Sequence, residues 1–217
     1  MAEGRGLMQQ LTKTTMNRYN YDDALNWLQT RGKELYGSHF KIIEEDKENI
    51  KKLLCYFLKD KHNALRLGIN LQKGILLTGP IGVGKSSLMN LMRFYEPAQT
   101  RFMFKSCRDI SFEFIKDGYD TIQKYSNRSF KNHEPITYCF DDLGTENNLK
   151  FYGNECNIMA EILLSRYDLF VSRKLITHLT TNLSASEIEN IYGNRLRSRM
   201  REMFNLIAFM KESFDKR

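Results

Sequence analysis

The segment Gly79-Pro80-Ile81-Gly82-Val83-Gly84-Lys85-Ser86 satisfies G-x-x-x-x-G-K-[ST] at every fixed position. It follows an apolar run, Gly74-Ile75-Leu76-Leu77-Thr78, and precedes a helical pattern from Lys85 to Phe94. Strand, glycine-rich loop and helix in that order make a cradle for phosphate. The glycines let the backbone wrap and turn its N–H groups toward an anion. The start of the helix adds the positive end of its dipole. Lys85 then reaches the β- and γ-phosphates, Ser86 ligates Mg²⁺ and Ser87 bonds the α-phosphate, with Gly79 to Gly84 wrapped around the nucleotide. A chance glycine-rich turn is the competing reading, and the flanking strand and helix count against it.

Around this loop the pattern alternates. Strand-like runs occur at Gly74–Thr78, Arg101–Cys107, Ile136–Phe140, Leu175–Thr181 and Asn205–Met210. Helix-length segments at Ile110–Tyr125, Asn154–Val171 and Ala185–Met200 lie between them. Ser184 and Glu187 form a capping box ahead of the last helix. This alternation predicts an α/β fold with a parallel sheet covered on both faces.

The segment before the loop reads differently. Residues 1–20 are polar and predict a disordered arm. Asp22 or Asp23 is placed to cap a helix carrying Ala24, Leu25, Trp27 and Leu28, stopped by Gly37. From Asp46 to Lys59, the residues Ile50, Leu53, Leu54, Phe57 and Leu58 make one helical stripe. Residues 21–65 are thus expected to be a helical extension, and 66–217 the main domain. The aromatic and apolar residues of the extension, such as Tyr19, Tyr21, Trp27 and Tyr36, suit a partner-binding face or packing on the core.

Composition narrows the classes. With 41% apolar and 27% charged residues in a chain of 217, a core is affordable. No run approaches the ~18 apolar residues of a spanning helix. The first twenty residues lack the apolar stretch of a secretory signal, so a cytoplasmic protein with no membrane partner is expected. Cys55, Cys107, Cys139 and Cys156 are scattered, which predicts reduced thiols and no zinc site. A net charge of +7 suits an acidic partner such as nucleic acid, and equally a basic protein without one.

Three further segments carry candidate chemistry. The run Ile136-Thr137-Tyr138-Cys139-Phe140-Asp141-Asp142-Leu143-Gly144 is a strand ending in two carboxylates. Asp141 is placed to hold Mg²⁺ through its water shell, and Asp142 to polarise an attacking water. A plain turn after a strand is the alternative. Asn182, closing the run from Lys174, either sits beside the γ-phosphate or caps the turn before Leu183 and Ser184. Arg195, Arg197, Arg199 and Arg201 lie within seven residues. On a helix, like charges four apart repel by roughly 0.2–0.5 kcal/mol per pair. Either the face is simply solvated, or an anion compensates it: nucleic acid, or the nucleotide of a neighbouring subunit, where an arginine supplied in trans accelerates phosphoryl transfer.

The ordered set Gly79–Ser86, Phe140-Asp141-Asp142-Leu143-Gly144, Thr180-Thr181-Asn182 and Gly193–Arg201 resembles AAA+ ATPases of the DnaC/IstB type, the replicative helicase loaders and transposition helper ATPases. The resemblance covers roughly residues 65–211. It implies a P-loop NTPase fold of AAA+ type with a five-stranded parallel sheet in the order 5-1-4-3-2. It also implies ATP and Mg²⁺ as cofactors, Lys85 on phosphate, Ser86 and Asp141 on the metal, and Asp142 as the water-activating acid. Asn182 is implied as the first sensor, Arg199 as an arginine finger and Arg195 as a nucleotide-sensing arginine. The implied partners are a hexameric replicative helicase or a transposase, single-stranded DNA, and further copies in a head-to-tail oligomer.

Two departures stand out. Many AAA+ proteins have Asp-Glu where this sequence has Asp141-Asp142, and the shorter acid predicts slow turnover without partner or DNA. Seven residues follow Met210, so no full C-terminal helical lid is expected. A nucleotide-binding adaptor without useful hydrolysis and a P-loop kinase are the readings from other classes. Against the kinase, the arginines cluster before the final strand and not on a mobile lid.

Overall fold

The computed structural model describes residues 20–131, 134–146, 149–151 and 154–210. The arm expected over residues 1–20 lies outside the described residues, apart from Asn20.

Helix α1, Tyr21–Tyr36, is capped by Asn20, whose side chain accepts from the N–H groups of Asp22 and Asp23. The cap thus falls earlier than the expected Asp22 or Asp23. Those two acids occupy the first turn instead, where the helix dipole favours them. Ala24, Leu25 and Leu28 form its buried face, and Gly37 ends it. A 3-10 turn at Glu44–Asp46 leads into α2, Lys47–Phe57, which buries Ile50, Leu53, Leu54 and Phe57 of the expected stripe, while Leu58, its C-cap, is partly buried. A short α3, Lys61–Arg66, is capped by Asp60 and precedes strand β1, Gly74–Thr78. Helix α4, Lys85–Met92, continues as a 3-10 turn to Tyr95.

Strand β2, Met103–Ser106, runs into α5, Cys107–Asp117, capped by Ser106. The single helix expected over Ile110–Tyr125 is two. Gly118, at φ +56, closes α5 with its N–H on the Phe114 carbonyl and starts α6, Tyr119–Tyr125. A small antiparallel pair, β3 (Phe130–Lys131) and β4 (Glu134–Pro135), precedes β5, Tyr138–Leu143. A second pair follows, β6 (Leu149–Phe151) and β7 (Asn154–Cys156). The helix expected from Asn154 therefore starts later, as α7, Ile158–Arg173, because Asn157 supplies its cap. Strand β8, Thr177–Thr181, leads to α8, Ala185–Met203, with the Ser184–Glu187 capping box formed and a non-helical residue at Gly193. Strand β9, Phe204–Ala208, completes the fold.

The main sheet is parallel in the order β2-β5-β8-β1-β9. Counted among its own five members, that is the expected 5-1-4-3-2. Alternate residues of each strand face opposite sides. Ile75, Leu77, Cys139 and Ile207 meet α1, α2 and α4 on one face. Leu76, Tyr138, Phe140, Leu179 and Phe204 meet α5 to α8 on the other. A fully buried aliphatic or aromatic side chain of this kind contributes about 1.5–3 kcal/mol relative to exposure. The first two helices share their core with the sheet: Trp27 packs edge-on against Tyr95 with centroids 5.2 Å apart, and Asn90 of α4 donates to the Tyr36 hydroxyl at 2.9 Å.

Two buried polar side chains stitch the strands away from their carboxyl ends. Arg166 of α7 is wholly buried at the amino ends of β5 and β8. Its guanidinium donates to the Thr177 hydroxyl and to the carbonyls of Tyr125, Ile136 and Ile176, all within 2.7–3.1 Å, and to Ser129 Oγ at 3.3 Å. His178 of β8 sits among the rings of Tyr56, Phe57 and Phe102, and its Nδ1 accepts the Ile75 N–H at 3.0 Å. Burial, reinforced by Lys59 and Arg166, pushes its pKa down to about 3.

Candidate nucleotide-binding site

The carboxyl ends of β1, β5 and β8 converge on one cleft, lined by Gly82, Gly84, Lys85, Ser86, Ser87, Asp142 and Asn182. In open parallel sheets this edge is where ligands bind. The loop after β1 turns away at Gly79, whose φ is +146. A Cβ there would lie 2.7 Å from the Phe209 carbonyl oxygen, so a side chain is excluded by both conformation and neighbour. Gly82 and Gly84 also have positive φ, at +91 and +82, and Gly84 caps α4. Val83 is buried in the core and pins the loop from beneath, while Ile81 is exposed at its tip.

Lys85 is buried, and its ammonium donates to the carbonyls of Gly79 at 2.8 Å and Pro80 at 2.7 Å, and to Asn182 Oδ1. Asn182 directly follows β8. Its side chain faces the lysine, and the following helix takes its cap from Ser184. Ser86 Oγ donates to Asp141 Oδ1 at 2.8 Å. Thr180 Oγ1 donates to the same oxygen at 2.5 Å and accepts the Asp142 N–H at 2.9 Å. Burial raises the Asp141 pKa, and the Thr180 and Ser86 hydroxyls oppose that effect. The neighbouring Asp142 charge raises it further and Lys85 lowers it. A cation at this carboxylate would favour the ionised form.

The donor set fits Mg²⁺. Ser86 Oγ and Asp141 supply two hard oxygens at the mouth of the phosphate loop, with Asp142 beside them. Mg²⁺ takes few protein ligands and keeps waters and phosphate oxygens for the rest of its octahedron. Among the described residues no group of three or more His, Cys, Asp and Glu is arranged to hold a metal.

The arginines stand apart from the cleft lining. Arg195 is exposed on α8. Arg197 pairs with Glu189 across the Gly193 kink. Arg199 lies over the Tyr167 ring, 4.4 Å from its centroid, and its Nη1 donates to the Tyr167 hydroxyl and, at 3.3 Å, to Glu202. The expected site residues therefore fall into two groups. Gly79 to Ser87, Asp141, Asp142 and Asn182 come together, and Arg195 and Arg199 do not join them within one chain. Thr180 is the contact that the sequence reading passed over; two polar residues at a strand end were its only signal.

No family model matches the chain. It is 27% identical over 187 residues to the ATP-dependent zinc metalloprotease YME1 homolog of Schizosaccharomyces pombe, covering 85% of this chain and 25% of that protein. The chain thus spans about a quarter of the length of this curated relative. A putative primosome component from Streptococcus pyogenes serotype M3 is similar in structure, with TM-score 0.55 and 19% identity over 83% of this chain and 87% of that one. The DnaC helicase loader aligns with TM-score 0.48 and 24% identity over 64% of this chain and 78% of that one. The fold, a five-stranded parallel sheet flanked by helices, is shared with that primosome component. No helix among the described residues is long and apolar enough to cross a membrane.

Proposed function

We propose that the chain binds and hydrolyses ATP with Mg²⁺ and serves DNA replication as a helicase-loader-like ATPase that engages single-stranded DNA and a hexameric helicase. The observation that carries the nucleotide part is the convergence of Lys85, Ser86, Asp141, Asp142 and Asn182 at the ends of three adjacent strands. The similar primosome component and the motif resemblance to the DnaC/IstB type support the replication part.

Within this reading the residues divide the work. The loop amides and the start of α4 bind the phosphate chain. Lys85 exchanges its carbonyl partners for phosphate oxygens, and Asn182 steers its ammonium. Ser86 and Asp141 would hold Mg²⁺, which supplies charge neutralisation at the β- and γ-phosphates. Asp142 accepts a proton from the attacking water. Arg199, outside its own cleft, acts on the nucleotide of an adjacent subunit in a head-to-tail assembly. Its loose tie to Glu202, both half-exposed, is worth no more than about 1 kcal/mol and is exchangeable for phosphate.

The test is the ATPase rate per subunit against protein concentration, with and without single-stranded DNA, for the parent and Arg199→Ala. A rate that climbs with concentration in the parent and stays flat in the variant is expected. A rate indifferent to both concentration and Arg199 would refute the shared site.

A further inference from the structure

The β5–β8 ladder is regular from Tyr138 opposite Thr177 to Phe140 opposite Leu179, then shifts and resumes with Leu143 opposite Thr181. Asp141 and Asp142 thus face Thr180 alone, which is the geometry of a bulge. Asp142 has a φ of +54, a left-handed conformation that aspartate tolerates better than most residues. The bulge takes the Asp142 N–H out of the backbone ladder. An amide freed from the ladder needs an acceptor, and here it is the Thr180 hydroxyl at 2.9 Å. That hydroxyl has one proton, and it goes to Asp141 Oδ1 at 2.5 Å. The group is wholly buried and both of its bonds are directional. It therefore fixes the side-chain orientation of one acid and the backbone of the next.

We propose that Thr180 is a positioning residue for the metal-nucleotide site: it locks Asp141 toward Ser86 and holds the bulge that presents Asp142 to the cleft. Thr180 does not line the cleft and acts through the two acids. The inference rests on the nucleotide reading above. Its consequence is specific. Phosphate-loop contacts are left alone, so affinity for free nucleotide is independent of Thr180, whereas the gain in affinity on adding Mg²⁺ depends on it.

Thr180→Val keeps the branched shape and removes both bonds, and Thr180→Ser keeps the hydroxyl. Binding of a fluorescent ATP analogue is titrated with and without Mg²⁺ for the parent and both variants, alongside steady-state hydrolysis. For Thr180→Val the metal-free affinity should stay within about twofold of the parent, while the Mg²⁺-dependent gain falls about tenfold, as for other partners of metal ligands. Its kcat should fall more than its KM for the nucleotide rises. Thr180→Ser should behave as the parent. A Val variant with an unchanged Mg²⁺ gain, or a Ser variant as impaired as Val, overturns the proposal. Circular dichroism checks folding, and Thr180→Ala replaces Val if Val does not fold. If neither folds, the hydroxyl is structural and the proposal is overturned. A parent that binds no nucleotide under either condition sinks the nucleotide reading itself.

Discussion

Replacing His178 by Phe should reverse its effect on stability between neutral and acid pH. The imidazole Nδ1 accepts the Ile75 N–H at 3.0 Å inside a cage of three aromatic rings. A phenyl ring keeps the cage filled and leaves that amide without a partner, which costs roughly 1–3 kcal/mol. At pH 7.5 the variant should be less stable by about that amount. Acidification works against the parent alone. The native pKa is held near 3 by burial, while the unfolded ring titrates at 6.5. The stability tied to the neutral ring is complete above pH 6.5 and drains away as pH falls toward 3, at about 1.4 kcal/mol per unit. By pH 4.5 the parent has lost roughly 2.7 kcal/mol from this group. Taking about 2 kcal/mol for the orphaned amide, the two stabilities cross near pH 5. Other acidic groups titrate alike in both proteins and cancel in the difference. Urea unfolding followed by the fluorescence of the single tryptophan, Trp27, measures both proteins at each pH. A stability difference that stays constant from pH 7.5 to 4.5 would refute the assignment of a neutral, hydrogen-bonded His178.

Two other substitutions probe the frame. Arg166→Met abandons three carbonyls and two hydroxyls at the amino ends of β5 and β8, so it should lower stability by about 3–5 kcal/mol in urea titrations. A loss below about 1 kcal/mol would mean that water or repacking satisfies those acceptors. Gly79→Ala forces a side chain onto a backbone at φ +146 and against Phe209, at roughly 1–3 kcal/mol from the conformation alone. Its melting temperature should drop and its nucleotide affinity with it; an unchanged melting curve would argue against the loop geometry.

How much of this was legible depended on how local the cause was. Strand β1 matches its sequence boundaries because the apolar run and the phosphate loop define both ends. The capping box at Ser184 and Glu187 was equally plain. Gly118 was overlooked as a breaker because apolar residues continue in helical spacing on both sides of it. The pairs β3–β4 and β6–β7 have strands of two or three residues, too short for any alternation to register. In the site, Lys85, Ser86, Asp141 and Asp142 announced themselves by residue type at strand ends. The duty of Thr180 did not, since it arises from a register shift between strands 39 residues apart. The intrachain partners of Arg199 were likewise invisible: Tyr167 lies on a different helix, 32 residues away.

The order of the strands also governs when the site exists during synthesis. The interior strand β1 emerges early, yet its two neighbours are β8 and β9, and Asn205 closes onto Gly74 from 131 residues downstream. Lys85 waits for Asn182, 97 residues later. Contacts that distant form late and slowly. On the ribosome, Ile75 and Leu77 therefore stay unpaired until nearly the whole domain has been translated. On the nucleotide-binding proposal, Asp142 and Asn182 of the cleft and Asp141 behind Ser86 are still to be made when the phosphate loop emerges. On the same proposal, binding of Mg²⁺-nucleotide by the full set of groups reports completed folding and stabilises molecules that have completed the sheet.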